Sequence, residues 1–196
     1  MSPRIRLLKI SELEDVVGSE ALADTLSCFS CPLNKEVELY LKDPSRAVQS
    51  SRMSSSVTYL AFDSKTNDML GYFTVMMKAY SVRSDALNSA NKRLISRFSE
   101  IDSSGNFTAS VYLIAQIGKN FALDKDNQVD GSELLCAAMD VFRGTKNAIG
   151  GKLVMIEREA DKPKLLEFYK ANGFKSWTTR CNAKDGIVYD QMFASL

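Results

Sequence analysis

Apolar residues recur along the chain in two different patterns, and these patterns divide it into elements. Short apolar runs rich in β-branched and aromatic residues have the length and composition of strands. Apolar residues at helical spacing occupy most of the stretches between them. The strand-like runs are 57–62, 69–77, 111–120 and 152–157, and the helical stretches are 11–26, 34–41, 130–142 and 161–172.

Turn residues and glycines set the expected ends of these elements. The segment DSKTND predicts a β-hairpin between the first two runs. Residues 80–106 predict a helical insertion, because a polar stretch there contains a central amphipathic piece. Gly144 is expected to end one helix, and Asp161 is expected to cap the next, which is expected to stop at Asn172-Gly173. Further strands are expected at 4–10, 174–180 and 186–193, the last two antiparallel to each other.

The stretch Val111–Phe142 places a strand, a polar loop and a helix N-terminus in succession. The loop reads FALDKDNQ, and the helix is predicted to begin at Asp130–Ser132. The first N–H groups of a helix lack partners within the helix, and the helix dipole is positive there. This segment is therefore predicted to bind an anion, above all a phosphate. The next strand, KLVMIE, completes a right-handed βαβ unit with parallel strands.

Composition is typical of one globular domain, which we expect to span residues 1–196. The chain has 196 residues, 45% of them hydrophobic, and 25 Lys and Arg against 24 Asp and Glu give a net charge of +1. A charge this small provides no global field for nucleic acid. We find no apolar run of membrane-spanning length, so we expect a cytoplasmic protein with no membrane partner.

The sequence contains no histidine, which excludes serine–histidine and cysteine–histidine nucleophile pairs and histidine metal ligands. Of the four cysteines, only Cys28 and Cys31 are close in sequence, while Cys136 and Cys181 are isolated. A zinc site made of all four is a minor alternative. The main interpretation is four reduced thiols and no metal.

Two motifs resemble those of the GNAT superfamily, whose members transfer an acetyl group from acetyl-CoA to an amine. Residues 128–133, QVDGSE, are similar to the family's pyrophosphate loop, which has Gln or Arg first, Gly fourth and Gly or Ala last. The last position here is Glu133. Residues 165–174, LLEFYKANGF, are similar to a signature with Tyr after Leu or Phe and Gly-Phe four residues beyond the Tyr. The order of predicted elements resembles that of the family as well.

The resemblance implies a fold, a co-substrate and a set of binding residues. The implied fold is the α/β (α+β) GNAT acyl-CoA acyltransferase fold, a mixed, mostly antiparallel central sheet with a splayed parallel pair and helices on both faces. Acetyl-CoA is the implied co-substrate, with no metal. Pantetheine is implied to bind the backbone of the central strand as an added strand would. The implied binding residues are Ile117, Gly118, Lys119, Gln128, Val129, Asp130, Gly131, Ser132 and Glu133.

The same resemblance implies direct transfer of the acetyl group to a primary amine. A backbone N–H of the central strand would stabilise the oxyanion, and Tyr169 is the implied general acid for the departing thiolate. A phenol with a pKa near ~10 is protonated at neutral pH and can supply that proton. The general base stays open among Glu100, Glu157 and Glu159, and an amine of low pKa needs none.

A weaker similarity connects the N-terminal half with the GNAT subgroup that includes bacterial acetyltransferase toxins. It rests on FSC at 29–31, VELYL at 37–41 and GYFT at 71–74. It implies aminoacyl-tRNA as an alternative acceptor and an antitoxin as an alternative partner, and a homodimer is a further alternative. Such a protein would have a basic surface. The candidates for that surface are Lys42, Arg46, Arg52, Lys78, Arg83, Lys92, Arg93 and Arg97.

Two other interpretations stay open at this point. Asp126, Gln128, Asp130 and Gly131 match the first half of a calcium-binding loop, but Ala137 stands where a bidentate glutamate is needed. A non-catalytic acyl-CoA-binding or interaction protein with the same fold is the second alternative, since a fold does not determine a function.

Overall fold

The structure, a computed structural model, describes residues 4–196. Strands and helices alternate along this part of the chain, with short 3-10 helices at Ser84–Ala86 and Lys125–Asn127. The strands are β1 (Ile5–Lys9), β2 (Val57–Asp63), β3 (Met69–Arg83), β4 (Asn106–Lys119), β5 (Leu153–Glu159), β6 (Lys175–Cys181) and β7 (Val188–Ser195). The helices are α1 (Ile10–Ser27), α2 (Lys35–Lys42), α3 (Ala47–Arg52), α4 (Ser89–Ile95), α5 (Gly131–Ile149) and α6 (Pro163–Ala171).

The chain forms two compact units. Unit 1 comprises the chain through Met76 together with Ile114–Val141, and unit 2 comprises Met77–Leu113 together with Phe142–Leu196. Among residues 4–196, the sheet order is β1-β2-β3-β4-β5-β7-β6, and β4 and β5 are the parallel pair. The prediction of a mixed, mostly antiparallel sheet is therefore confirmed. The prediction of a single domain stays a prediction.

The hairpin of β2 and β3 is confirmed, with Val57 opposite Val75. Its turn is stabilised by Asp63, whose carboxylate accepts the N–H groups of Lys65 and Thr66. Strand β1 adds to β2 in antiparallel register. Apolar side chains from these strands and from α1 to α3 form the core of unit 1. The core includes Ile10, Leu22, Leu26, Phe29, Leu41, Leu60 and Tyr72.

Unit 2 has a core in which aromatic rings pack closely. The ring of Phe193 in β7 lies 4.8 Å from the ring of Tyr80 and 4.3 Å from the ring of Trp177. The ring of Tyr112 lies 4.8 Å from that of Phe142, and its hydroxyl donates to the carbonyl of Gly150. Strands β5, β7 and β6 are antiparallel neighbours, which confirms the predicted pairing of the last two strands.

Several boundaries differ from the sequence predictions, among them the start of β4, which lies at Asn106 and not at residue 111. Strand β3 continues to Arg83, so the predicted helical insertion is reduced to α4; buried Tyr80 and Val82 prolong the strand. Helix α5 passes through Gly144 and ends before Gly150, whose φ of 76° suits a helix terminus. Asp161 does not cap α6, which has Lys162 at its N-cap position and no side-chain cap.

Two glycines let backbone segments of unit 1 approach each other closely. A Cβ at Gly71 in β3 would lie 2.5 Å from the carbonyl oxygen of Gly118 and 2.9 Å from the Cα of Lys119. A Cβ at Gly118 would lie 2.5 Å from a methyl group of Val37 in α2 and 3.3 Å from the ring of Phe29. Any larger residue at either position therefore requires the neighbouring atoms to move.

We expect Gly71→Ala to lower the free energy of unfolding by about 1–3 kcal/mol, because the new methyl group meets backbone atoms that cannot rotate away. Gly144→Ala is the matched control, since nothing lies within 4 Å of a Cβ there. Alanine is the better helix former, so the control should raise the free energy of unfolding by up to about 1 kcal/mol. Urea unfolding measures both. Equal stability of the two variants would contradict the proposed backbone contact.

Within residues 4–196, no helix combines the length and the apolar character that a membrane span requires.

Candidate functional site

The end of β4 carries the first group of predicted binding residues. Gly118 is buried, whereas Ile117 and Lys119 are half-buried. The ammonium of Lys119 lies 4.8 Å from the centre of the Phe121 ring, which is a cation–π distance. The Leu134 side chain of α5 lies 3.1 Å from the Cβ position of Gly71. The end of β4 and the first turn of α5 therefore pack against the same residue of β3.

Asn120, the residue after β4, is a site residue that the sequence analysis missed. It is buried, and its backbone N–H donates to the carbonyl of Leu70 at 2.7 Å. Its side-chain oxygen accepts the N–H groups of Ser30 and Ala122, and its side-chain nitrogen donates to the carbonyl of Met69. This side chain therefore fixes the end of β4 to the start of β3 and to the segment before α2. A single asparagine without a repeated pattern gives no sequence signal for this role.

The predicted phosphate loop begins α5 and uses its own acidic side chains as caps. The Asp130 carboxylate accepts the N–H of Ser132 at 2.7 Å, and the Glu133 carboxylate accepts the N–H of Asp130 at 3.1 Å. Glu133 thus reaches back to the N–H of Asp130 as the glutamate of a capping box does, whereas Asp130 caps the second N–H of the helix and not the third. Val129 is buried, and the Gln128 side chain donates to the carbonyl of Leu123 at 2.9 Å. Two loop N–H groups that an anion needs are therefore bonded to carboxylates.

Arg4 supplies a positive charge to the same loop. Its guanidinium donates to the carbonyls of Asn127 at 3.1 Å and Gln128 at 3.4 Å. It also lies 3.7 Å from the Glu133 carboxylate and bonds the Asp63 carboxylate at 3.3 Å. Arg4 precedes β1 and is far from the loop in sequence, so only the tertiary structure shows the pairing. It offsets part of the negative charge of the loop.

Tyr169 is buried in unit 2, on α6. Its ring lies 5.1 Å from the ring of Phe168 and 5.9 Å from that of Phe174. Burial raises the pKa of Tyr169 to about 12, because the ionised phenolate loses its hydration. Gly173, with a φ of 87°, ends α6 and turns the chain toward Phe174, as the sequence predicted. The Tyr169 phenol is therefore protonated throughout the neutral range.

Among the candidate bases, Glu157 is the most constrained. Burial by itself would raise its pKa, but hydrogen bonds from Arg180 and Gln191 and the charge of Lys78 outweigh this effect and lower the pKa. Two Arg180 nitrogens reach the carboxylate at 3.0 and 3.2 Å, and the Gln191 amide reaches it at 2.8 Å. Glu159 lies 3.5 Å from the Lys162 ammonium, and Glu100 is exposed. Because its ionised form is stabilised in this way, the Glu157 carboxylate makes a weak base.

The predicted basic residues do not all contribute free positive charge. Five of these eight residues form ion pairs with carboxylates. The other three lie on α4 or just after it. The paired residues are Lys42 with Glu38, Arg46 with Glu36, Arg52 with Glu14, Lys78 with Glu157 and Arg83 with Asp85. Within residues 4–196, no ion pair involves Lys92, Arg93 or Arg97, and the two arginines are exposed. These three residues form what we call the α4 basic cluster.

The residues proposed for metals are not assembled into a cluster. Within the described residues, no group of three or more Cys, Asp and Glu lies in the arrangement of a metal site. Cys28, Cys31, Cys136 and Cys181 are all free thiols, and only Cys31 is buried. Residues 125–127 of the calcium-like segment form a short 3-10 helix.

The structure thus assembles the predicted residues in two groups. The end of β4, the phosphate loop and Arg4 belong to unit 1, whereas Tyr169 and Glu157 belong to unit 2. The first group offers backbone N–H groups at a helix N-terminus with one arginine beside them, which suits a phosphate. The second offers a buried protonated phenol and a carboxylate stabilised by three side chains.

We expect Glu133→Ala to lower the free energy of unfolding by about 0.5–2 kcal/mol, because the N–H of Asp130 loses its cap. Glu133→Gln is the matched control, since glutamine can also accept this hydrogen bond in a capping box. It loses only the exposed ion pair with Arg4, which is worth about 0–1 kcal/mol. Guanidinium unfolding measures both variants. A glutamine variant as unstable as the alanine variant would exclude the capping role.

Comparison with known proteins gives matches among solved structures only. No protein-family model matches the sequence, and no curated protein matches it. The structure of AtaT complexed with acetyl-methionyl-tRNAfMet is 17% identical, with a TM-score of 0.63 over 94% of this chain and 93% of that chain. A Tyr-to-Phe mutant of KacT is 15% identical, with a TM-score of 0.62 over 96% of this chain and 95% of that chain.

A third structure is a GNAT family acetyltransferase from Elizabethkingia anophelis with acetyl-CoA bound. It is 17% identical, with a TM-score of 0.52, and the match covers 100% of both chains. Identities this low establish the fold alone. The resemblance to GNAT proteins, including toxin-like members, is confirmed at that level: the chain has the GNAT fold.

Proposed function

We propose that this protein is an N-acetyltransferase that transfers an acetyl group from acetyl-CoA to a primary amine by direct attack. The observation that carries the proposal is the buried, protonated Tyr169, located on the GNAT fold within the motif that resembles the family's catalytic signature. Its pKa of about 12 keeps the proton on the phenol at neutral pH. A protonated donor is what the departing thiolate requires.

The residues of unit 1 fit acetyl-CoA, at a cost. Backbone N–H groups of residues 128–133 would hold the pyrophosphate at the positive end of α5, with Arg4 as the nearby cation. The backbone of Ile117–Lys119 would hold the pantetheine arm as an added strand. The carboxylates of Asp130 and Glu133 accept two of the loop N–H groups, so binding requires their displacement. Losing each of these two caps costs about 0.5–2 kcal/mol, which is compatible with binding.

When bound, acetyl-CoA supplies the activated thioester. The chain then contributes position, an oxyanion donor from the end of β4 and a proton from Tyr169. The burial that raises the pKa of the phenol also raises that of a thiol in the same surroundings. The pKa of Tyr169 and the pKa of the departing thiol therefore rise together. Proton transfer between them stays feasible, although Tyr169 is a weaker acid than tyrosine in water.

No protein base is required in this mechanism. Glu157 has a lowered pKa and is bonded to Arg180 and Gln191, so it takes up a proton poorly at neutral pH. The acceptor amine is expected to lose its proton to water before or during the attack. Amines with a pKa near neutrality, such as α-amino groups at about 7.7–8.0, are favoured over lysine side chains at about 10.4.

We expect Tyr169→Phe to lower kcat for acetyl transfer by about 10²–10⁴-fold, because the acid is removed while the ring is kept. Its affinity for acetyl-CoA, measured by calorimetry, should change little. Tyr59→Phe is the matched control, since Tyr59 is half-buried in unit 1 and packs on Phe73. Transfer is followed with radiolabelled acetyl-CoA and three acceptors: aminoacyl-tRNA, a lysine-containing peptide and a polyamine.

Two results would each refute the proposal. One is the absence of acetyl-CoA binding to the unmodified protein, which would leave a non-catalytic interaction protein with the GNAT fold. The other is a Tyr169→Phe variant that retains full kcat with every acceptor that the unmodified protein acetylates.

Aminoacyl-tRNA is the second, more specific candidate for the acceptor. Its support is the α4 basic cluster, whose side chains carry no ion pair within residues 4–196, together with the similarity to AtaT complexed with acetyl-methionyl-tRNAfMet. Free arginine and lysine side chains bind phosphates through counterion release. An aminoacyl ester also carries an α-amino group of the favoured pKa. Its acetylation would make the protein toxin-like, with an antitoxin as its regulatory partner.

Replacing Lys92, Arg93 and Arg97 by alanine should weaken aminoacyl-tRNA acetylation and reduce its dependence on salt, because up to three phosphate contacts are lost. Acetylation of a polyamine by the same variant should not fall. Arg83→Ala is the control, since Arg83 is already paired with Asp85 at 2.5 Å. An unchanged salt dependence in the triple variant would exclude the α4 basic cluster from tRNA binding.

A further inference from the structure

A buried ion pair lies between two strands of unit 2. An Arg158 nitrogen in β5 lies 2.9 Å from an Asp190 oxygen in β7, and these residues are directly opposite each other in the antiparallel register. Their side chains are 5% and 8% exposed. The Arg158 Nε is also buried without a partner. Neither residue belongs to the machinery described above.

Arg158 holds the chain on the N-terminal side of α6. One of its nitrogens donates to the carbonyls of Glu159 at 2.9 Å, Ala160 at 3.3 Å and Lys162 at 3.2 Å. These carbonyls form the turn between β5 and α6, and Lys162 is the N-cap residue of α6. In the same turn, the N–H of Ala160 donates to the carbonyl of Val188 in β7. The guanidinium therefore fixes the point at which α6 begins.

Asp190 holds the chain on the C-terminal side of α6. The Ser176 hydroxyl, at the start of β6, donates to the same Asp190 oxygen that Arg158 contacts, at 2.7 Å. Two residues before Ser176, the Phe174 ring packs on the Tyr169 ring, and the N–H of Phe174 donates to the carbonyl of Tyr169 at 3.0 Å. Both ends of segment 159–176 therefore meet at one ion pair, and α6 lies between them.

Stability alone does not account for this arrangement. Two charges removed from water lose hydration that their mutual attraction repays only partly, and apolar residues of similar volume often serve a core as well. An aliphatic side chain cannot bond three carbonyls of a turn, whereas a planar guanidinium with several donors can. What the ion pair contributes beyond an apolar contact is the fixed position of both ends of α6.

We infer that the Arg158–Asp190 ion pair is a clamp that positions Tyr169, by holding both ends of the segment that carries it. This inference rests on the proposed role of Tyr169 as the general acid. Arg158 and Asp190 are positioning residues, since they act on Tyr169 through the turn before α6 and through Ser176. Without the clamp, α6 should remain helical, but Tyr169 should be less well buried.

The test replaces the pair by apolar residues, as Arg158→Met with Asp190→Leu, so that no unpaired charge stays buried. The readout is the titration of the Tyr169 phenol, followed by NMR of ¹³C-labelled tyrosine and assigned with Tyr169→Phe. In the unmodified protein Tyr169 should titrate near its pKa of about 12, and in the double variant nearer the ordinary value of 10.0. The kcat for acetyl transfer should fall by about 10²-fold while the KM for acetyl-CoA is preserved.

Arg180→Met is the control, because it removes an ion pair of unit 2 that does not contact segment 159–176. It should leave the Tyr169 titration unchanged. Ser176→Ala releases only the C-terminal side, keeps both charges paired and should shift the titration in the same direction by a smaller amount. This variant decides the question if the double variant does not fold. Arg158→Lys keeps the charge but not the planar donors, so it should retain only part of the effect of the clamp on the Tyr169 titration.

The inference is overturned if a folded double variant, or Ser176→Ala in its place, titrates at Tyr169 as the unmodified protein does. This outcome is distinct from failure of the proposed function. A protein that transfers no acetyl group to any acceptor still reports, through the titration, whether the clamp positions Tyr169.

Discussion

The close approach of backbone at the end of β4 is the constraint on which unit 1 depends. Gly118 has Val37 and Phe29 on one side, and Gly71 faces the Gly118 carbonyl and the Cα of Lys119. A side chain at either glycine would separate β3 and α2 from the strand that is expected to bind pantetheine. Asn120 then satisfies the polar groups that this packing buries, since it bonds to the backbone of β3 and of the segment before α2. The glycines thus make the close packing sterically possible, and Asn120 supplies the hydrogen bonds that the buried backbone groups need.

Local patterns in the sequence were sufficient to predict most of the fold. The hairpin, the strand and helix around residues 111–142, the glycine end of α6 and the two final strands depend on periodicity and turn chemistry, which act over a few residues. The errors occurred where tertiary packing overrides such signals. Burial of Tyr80 and Val82 extends β3, and an open helix face makes Gly144 harmless. Arg4, Asn120 and the Arg158–Asp190 pair are contacts between distant segments, and no local pattern encodes them.

Pairing of charges, more than their number, determines the electrostatics of the protein. The net charge of +1 results from nearly equal numbers of acidic and basic residues, many of which form ion pairs with each other. Glu133 serves as a cap and lies near Arg4, so the acidic phosphate loop repels an anion less than its sequence suggests. Glu157 is held by one amide and two cations, which makes it a structural anion instead of a proton acceptor. Lys92, Arg93 and Arg97 form no ion pair within residues 4–196, so the α4 basic cluster keeps its positive charge.

Tyr169 shows why a buried acid needs a support of its own. Burial keeps the phenol protonated, and the ring contacts of Tyr169 with Phe168 and Phe174 are less directional than hydrogen bonds. Directional restraint must therefore come from outside the ring, and the backbone at both ends of α6 is where it can be applied. The bonds of Arg158 to the turn before α6 and of Asp190 to Ser176 supply it at both places. A buried ion pair that adds little stability can in this way set the geometry of a proton donor several residues away.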